Sequence, residues 1–576
     1  MHEDLEGSIV PLKPIFDKAP LKALSAVGLR PGQVSAADPA VDALIALCGE
    51  DAPVELLEGL FRAGMLKARK AEQAAGAAQI TRLLQTQVED GALPGTAAQQ
   101  LAAARAAFAL YEATASRAVL EQLARWCGWL NAHLDEALAD AAVRQHPADL
   151  MGLMLDMYRV TGKKAMLSLC ERIRRGGMDW SGILHTFAVQ RPMSRVTPWN
   201  DMEAGLEAEM GSEEGFYTRQ YLACHGEGLA DGARSALANG LYSGNGQELT
   251  AARTGWERMR KYHSAVCGGI TCDEALAGTS PSAGVDAAAL GAWAEALCAS
   301  VEADDSLWAL DEMDIMLANA MPRAVCGGRL HDLQRVNGLS LDCGDAGAYH
   351  LHQGSERFQR ALSRLLRGYA AVYSHAVTVR RSGFDVNLTA NGVYTVALGG
   401  TAIQVQIGGS SAKKVCTLRM KQPIRAQVRV RIPAWARESC VTVNAEGGYE
   451  GKPGEYLALE RVWRDGDTLT VEEALQPRLV DAHHQGVCVM LGSTLLGMPA
   501  DTASQWAVAA MGQPVMRKDG SVTLPVAPLS CWRRRGDIPA DVPVLPEACG
   551  DTFDAPLAPY ATHCGIALFP RGAAQA

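Results

Sequence analysis

The stretch Ala426-Gln427-Val428-Arg429-Val430-Arg431-Ile432-Pro433-Ala434-Trp435 alternates apolar and polar residues before a proline stops it. A period of two puts Ala426, Val428, Val430 and Ile432 on one face, so the run is predicted to be a strand with its apolar side inward and its arginines outward. The same texture extends either way: Val377 and Val379, then Phe384, Val386 and Leu388, and after it Val441-Thr442-Val443 and Thr468 to Val471. Asn391-Gly392 before Val393, Thr395 and Ala397 is a type I′ hairpin signal. Strands of this kind are expected to pack as a sandwich over 376–477. From 478 to 576, strands around Val487–Leu491 and Gly565–Leu568 bracket a Pro-rich stretch, 538–559, expected to run extended over the surface of a second β-layer or sandwich.

Upstream the texture is different. Between about 38 and 375 the chain is rich in Ala, Leu, Met and Glu, with apolar residues recurring at three and four, which predicts helices. Leu150, Leu153, Met154 and Met157 form one stripe, Thr161-Gly162-Lys163 breaks it, and Met166, Leu167, Leu169 and Ile173 begin another. That is an antiparallel helix pair. A second flanks Gly244-Asn245-Gly246 and a third Ala303-Asp304-Asp305. Irregular linkers between repeated pairs favour a closed helical toroid over a solenoid. Residues 1–37 are expected to add a strand to the sandwich.

With 576 residues, 48% of them hydrophobic, the chain can bury a large core and divide into two to four domains. A net charge of −10 argues against a partner held by phosphate neutralisation, so no nucleic acid is expected. The acidic start Met1-His2-Glu3-Asp4 is unlike a signal peptide, and no apolar run reaches the ~18 residues of a membrane span. Fifteen cysteines, an odd number without a C-x-x-C pair, read as reduced, mostly buried thiols, which with the acidic start places the chain in the cytoplasm.

Three segments then carry a resemblance: Arg431-Ile432-Pro433-Ala434-Trp435, Val441-Thr442-Val443-Asn444 and Arg461-Val462-Trp463-Arg464-Asp465-Gly466-Asp467. They resemble the R-I-P-x-W, V-x-V-N-G and R-x-W-x-x-G-D patterns of the β-L-arabinofuranosidase-like glycoside hydrolases, family 127 and its relatives, with Ala445 in place of the glycine. His225-Gly226-Glu227, Trp256 with Tyr262-His263, Asp273-Glu274-Ala275-Leu276-Ala277-Gly278 and Leu557-Ala558-Pro559-Tyr560 extend it over most of the chain from about 140. The resemblance implies an α+β multidomain fold, an (α/α)6 barrel followed by β-sandwich domains. It also implies glycosidic bond hydrolysis, with a glycoside or short oligosaccharide as partner.

In that family a Glu serves as acid/base and a zinc-bound cysteine thiolate as nucleophile, in a shell of one Glu and three Cys. Glu274 stands where the acid/base is expected; an acidic loop or a helix cap shared with Asp273 is the alternative. Ser280-Pro281-Ser282-Ala283-Gly284-Val285-Asp286-Ala287-Ala288 aligns with S-P-x-x-G-x-E-x-C, so Asp286 replaces the ligand Glu and Ala288 the first ligand Cys. Counting back from His352-Gln353-Gly354 along C-C-x-x-N-x-H-Q-G lands on Ala346 and Gly347. The shell is missing its sulfur ligands, and no zinc or other cofactor is expected. Cys343, three residues upstream of Ala346, is the one weak thiolate candidate, while Cys298 in Glu295-Ala296-Leu297-Cys298 lies ten residues out of register. Asp286 is then a candidate carboxylate partner for Glu274. His225, His350, His352, Asp273 and Tyr349 are candidate sugar contacts, with Trp199 and Trp180 as possible stacking rings. Three functions remain open: a hydrolase, a non-catalytic sugar-binding or scaffold relative, and a lyase or epimerase on the same fold. The sequence does not fix the oligomeric state.

Overall fold

The structure, a computed structural model, describes residues 26–49, 52–67, 70–140, 143–144, 146–187, 189–190, 192, 224–273, 275–279, 283–331, 333–335, 351, 353–388, 390–482, 486–498, 506–508, 512–528, 552–563, 567 and 569. It combines a helical half with three sheets of five or more strands.

Six helices, Val54–Leu66, Ala97–Thr114, Pro147–Thr161, Gly226–Ser243, Ala287–Asp304 and Glu356–His375, pack each on the next, and the last packs on the first. The first five are each followed by a partner: Lys70–Gln85, Arg117–Ala132, Ala165–Gly176, Gly246–His263 and Leu307–Ala318. Pro39–Ala46 lies against the sixth. Left-handed residues end the first helix of four pairs: Ala115 (φ 52°), Gly162 (φ 67°), Gly244 (φ 72°) and Asp305 (φ 62°). The helix pairs read from the sequence at Gly162, Gly244 and Asp305 are therefore present.

Two of the six inner helices touch backbone to backbone. A Cβ on Gly368 would come within 2.9 Å of Gly291 Cα, so only glycine lets Ala287–Asp304 and Glu356–His375 approach this closely. Their side chains fix the direction. Arg357 lies 3.8 Å from Asp286 at the two beginnings, Arg367 bonds Glu295 at 2.8 Å midway, and His375 lies 3.3 Å from Glu302 near the two ends. The helices run parallel, with their amino-terminal ends at one rim of the cycle.

The five-stranded sheet has the order Val27–Gly28, Val377–Val379, Gly383–Val386, Ile424–Ile432, Glu455–Trp463. The facing sheet runs Glu446–Gly451, Ser439–Val443, Thr468–Glu473, Lys413–Met420, Thr401–Gly409, Gly392–Leu398, Val34–Ser35. One stretch near the start of the chain thus gives a strand to each sheet. Val428, Val430 and Ile432 are fully buried, and Trp463 closes the layer with its indole Nε1 donating to Ala426 O at 3.1 Å.

Three expectations are corrected. The polar side of Ile424–Ile432 is solvated only toward its start, where the Arg425 side chain is 77% exposed: Arg431 is 1% exposed and pairs with Asp311 at 2.6 Å and with Asp314, while Arg429 reaches Asp305 at 3.0 Å. The strand's second face docks on the helical half. Asn391-Gly392 joins strands of different sheets; the two-residue hairpin is Gly399-Gly400, with φ 57° and 81°. Two consecutive positive φ values are what a type I′ turn requires. Finally, part of the Pro-rich stretch, Phe553–Pro559, is a paired strand of the third sheet, between Thr494–Gly497 and Val522–Pro528. That sheet encloses its own apolar cluster around Val489, Leu496, Leu524 and Phe569. Asn319 ties it to the helices, donating to Ser493 O at 2.8 Å and accepting from Leu495 N at 2.8 Å. Among the described residues no helix is long and apolar enough to cross a membrane.

Candidate functional site

The amino-terminal rim of the helix cycle gathers most of the sequence-predicted residues that the structure describes. His225 opens Gly226–Ser243, its Nδ1 accepting from Gly228 N at 3.2 Å. A short hairpin, Cys272–Asp273 with Ala275–Leu276, is stitched to that start by an Ala275–His225 bridge and by Leu276 N donating to Cys224 O at 2.9 Å. Gly226 is required there because the Cys272 side chain occupies the space a Cβ would take. Asp286, buried, caps Ala287–Asp304 by accepting from Ala289 N at 2.9 Å. Arg357 stands 3.8 Å from both Asp286 and Asp273 and so links the two predicted acids.

Below this rim the axis of the cycle is filled with charge. Glu227 accepts from Arg364 Nε at 2.6 Å and lies 3.3 Å from Arg360; Asp231, fully buried, binds Arg364 and holds His146 Nδ1 at 2.7 Å. Next come Asp149, Glu295, Arg105, Arg234 and Arg367: Arg367 reaches Asp149 and Glu295 at 2.8 Å each, and Arg234 reaches Asp149 at 2.7 Å. Burial alone would raise Glu227 and Asp231. Arg364 and Arg360 outweigh it at Glu227 and bring that acid down to about 2, and Arg364 with His146 holds Asp231 well below its ordinary range. Acids pinned in the ionised form do not donate protons at neutral pH. Glu227 and Asp231 therefore orient their partners, Arg360, Arg364 and His146.

His146 was missed by sequence reasoning. Its helix, Pro147–Thr161, was read from its apolar stripe, and the residue before the proline was passed over, although a His at a helix start can present an imidazole to the rim. An Asp-held imidazole is the arrangement used for proton transfer, because the carboxylate fixes the ring and its tautomer. The axial charges also left a trace: Glu227, Asp231 and Arg234, or Arg357, Arg360, Arg364 and Arg367, recur at helical spacing on helices whose other sides are apolar.

Glu274, Tyr349, His350 and His352 lie outside the described residues, as do Trp199, Cys343, Ala346 and Gly347. Trp180 is corrected: it is 1% exposed and its ring fills the space beside Gly232, so it is core and no stacking platform. Two of the positions that the resemblance aligns with its zinc shell are described, Asp286 and Ala288. Ala288 offers a buried methyl, and Asp286 spends one oxygen on its cap. Cys298 lies twelve residues along the helix from Asp286, about 18 Å away, against Met313. Cys272, which lies near Asp286, is pushed above the ordinary thiol range by burial and by that carboxylate. Among the described residues no three His, Cys, Asp or Glu side chains stand together as a metal-binding group.

Residues 386–475 match the family model for the middle domain of GH127 β-L-arabinofuranosidases. The resemblance is to glycoside hydrolase family 127. The match covers the sandwich, so the helical half with the candidate site is compared through its fold. Several solved structures are similar at fold level, three of them over nearly the whole chain. One is described as a glycoside hydrolase (TM-score 0.71, 14% identity, covering 96% of this chain and 98% of that one). Another is a GH127 β-L-arabinofuranosidase from Geobacillus stearothermophilus T6 (0.61, 15%, 98% and 96%). The third is a GH127 β-arabinofuranosidase (0.61, 13%, 94% and 95%). No curated protein sequence matches the chain.

Proposed function

We propose that this chain hydrolyses a glycosidic bond in a β-L-arabinofuranoside or a related short oligosaccharide, with Glu274 as general acid/base and without a zinc-bound thiolate. The observation that carries this reading is the convergence of His146, His225, Asp273, Asp286, Arg357 and Arg360 on the amino-terminal rim of a six-helix cycle, in a chain whose sandwich matches GH127. The cycle is read as an (α/α)6 barrel, and the residues on its rim supply both donors and acceptors for sugar hydroxyls. His350, His352 and Tyr349 complete the sugar contacts in this reading. The chain acts in the cytoplasm.

The chemistry follows the two-carboxyl scheme. Glu274 protonates the departing oxygen, and a second carboxylate, Asp286 or Asp273, acts on the opposite face of the sugar. Arg357 keeps both aspartates facing a cation. A separation of the working carboxyls near 5–5.5 Å corresponds to retention, and 6.5–9.5 Å to inversion. Hydrolysis of aryl β-L-arabinofuranoside, and of a panel of other aryl glycosides, tests the reading, with Glu274→Gln as control. Turnover that survives in Glu274→Gln removes this acid from the mechanism, and stoichiometric zinc in active protein removes the zinc-free scheme.

A second reading, a sugar-binding relative without turnover, is favoured by one observation: Asp286 is already committed to capping its helix. Sugar binding with no hydrolysis of any panel member supports it.

A further inference from the structure

At the opposite rim, where the inner helices end, a cavity of about 430 Å³ opens among Arg30, Arg62, Tyr111, Asp156, Arg159 and Glu302. It borders the axial charges at Glu295, Arg105 and Arg367 and extends away from the candidate site: Glu302 is sixteen residues along the helix from Asp286, about 24 Å at 1.5 Å per residue. One wall is apolar, formed by Leu29, Leu66, Phe108, Val160, Ala370 and Ala371. The other carries paired charges. Arg62 lies 3.0 Å from Glu112, Arg159 bonds Asp156 at 2.9 Å, and Glu302 accepts from Gly28 N at 2.9 Å while facing His375 at 3.3 Å.

These pairs do not use all the polar atoms. Arg30 Nη1 and Arg159 Nε are buried and have no hydrogen-bond partner among the described residues. A buried donor without a partner costs free energy that an arriving acceptor recovers. Acceptors stand beside them. Burial, with Glu112 and Glu302 adding to it against Arg159 and Arg62, raises the Asp156 carboxyl to about 6, so a hydroxyl donating to it is welcome at neutral pH.

A ligand that satisfies this lining must donate and accept in the same small volume, lay an apolar face on Phe108 and its neighbours, and carry little net charge, because five arginines and His375 already face five carboxylates. A sugar ring has these properties: hydroxyls around its edge and C–H groups on its faces. The volume sits at the small end of ligand-binding cavities. We infer that this cavity is a second binding site, for a neutral mono- or disaccharide. The inference rests on the lining and stands independently of the activity proposed at the other rim.

Calorimetric titration of the full chain with L-arabinose, D-galactose and lactose, alongside phosphate and citrate as charged probes, tests it. At least one sugar is expected to bind, with affinity at least ten-fold weaker in Arg30→Met and in Asp156→Asn and unchanged in Glu274→Gln. Hydrogen exchange on the unaltered protein is a second measurement that does not depend on the variants folding: the bound sugar should slow amides in 27–30 and 156–161. Binding lost in Glu274→Gln but intact in Arg30→Met and Asp156→Asn would place the sugar at the other rim and overturn the proposal. So would binding of phosphate or citrate only, or saturating sugar that leaves exchange in both segments unchanged.

Discussion

Arg364→Met probes the charged axis at the point where four inner helices meet. The guanidinium bonds Glu227 at 2.6 Å and Asp231 on one helix and lies 3.3 Å from Glu295 on the next and 3.9 Å from Asp149 on a third. Methionine keeps most of the stem and removes the cation, leaving Glu227 (3% exposed side chain) and Asp231 (0%) buried without their main partner. Stripping one member from a buried pair costs about 3–5 kcal/mol. The net depression of Glu227 from 4.5 to about 2, to which Arg364 contributes most beside Arg360 and His146, is of the same order: about 3 kcal/mol at 1.36 kcal/mol per pKa unit. The sign with pH follows. In the native protein the depressed carboxyl contributes stability present above pH 4.5 and lost as pH falls through about 2, so between pH 8 and 5 it contributes a constant amount. In the variant, burial is opposed at Glu227 only by Arg360 and His146, so the same carboxyl rises, and the protein regains stability as pH falls through that window. Hydrogen exchange of amides in Gly226–Ser243, corrected for intrinsic rates, should show the opening free energy reduced by about 3–5 kcal/mol at pH 8 and by visibly less at pH 5. A loss under about 1 kcal/mol at pH 8, or an equal loss at both pH values, would refute the view that Arg364 neutralises a buried acidic pair.

Other sites give sharper local tests. Gly291→Ala drives a Cβ into the Arg364 backbone carbonyl and should cost about 1–3 kcal/mol, whereas Gly128→Ala, with nothing within 4 Å, should gain about 0.5–1 kcal/mol; thermal unfolding of the pair reads the contrast. Asp286→Ala loses the cap of Ala287–Asp304 and about 1 kcal/mol, while Asp286→Asn keeps it, so activity lost in Asp286→Asn at unchanged melting temperature separates chemistry from capping. Of the described thiols Cys440 alone is exposed, whereas burial pushes Cys127 and Cys170 up to about 12. Cys440→Ser should lower the native thiol titre by one, and an unchanged titre contradicts its exposure.

Strand alternation around Val428 and the helix pairs broken at Gly162, Gly244 and Asp305 were legible because local periodicity and turn chemistry decide them. The Asn391-Gly392 hairpin was misplaced because two neighbouring strands can enter different sheets, and only pairing partners far along the chain settle which. Arg429 and Arg431 read as a solvated face because alternation reports two sides of a strand without saying what covers the second. The axial charges failed for the same reason. A row such as Arg357, Arg360, Arg364 and Arg367 has one spacing whether it meets water or the middle of a ring, and the closing of the ring, by the packing of Glu356–His375 on Val54–Leu66, is what buries it. At the candidate site, motif spacing led to Asp286, whose capping role is local, but His146 depends on Asp231, 85 positions away, and no window of sequence contains both.

The strand Val27–Gly28 pairs with Val379 and Thr378, and Val34–Ser35 with Tyr394 and Val393. The helical half is therefore spliced into the sandwich, and the sandwich owes its completion to a clock. At roughly 5–20 residues per second of synthesis, Val27 waits on the order of 20–70 s for Val379 to emerge. Throughout that interval both early segments lack the partners that make them strands, while the helices between them are already free to form.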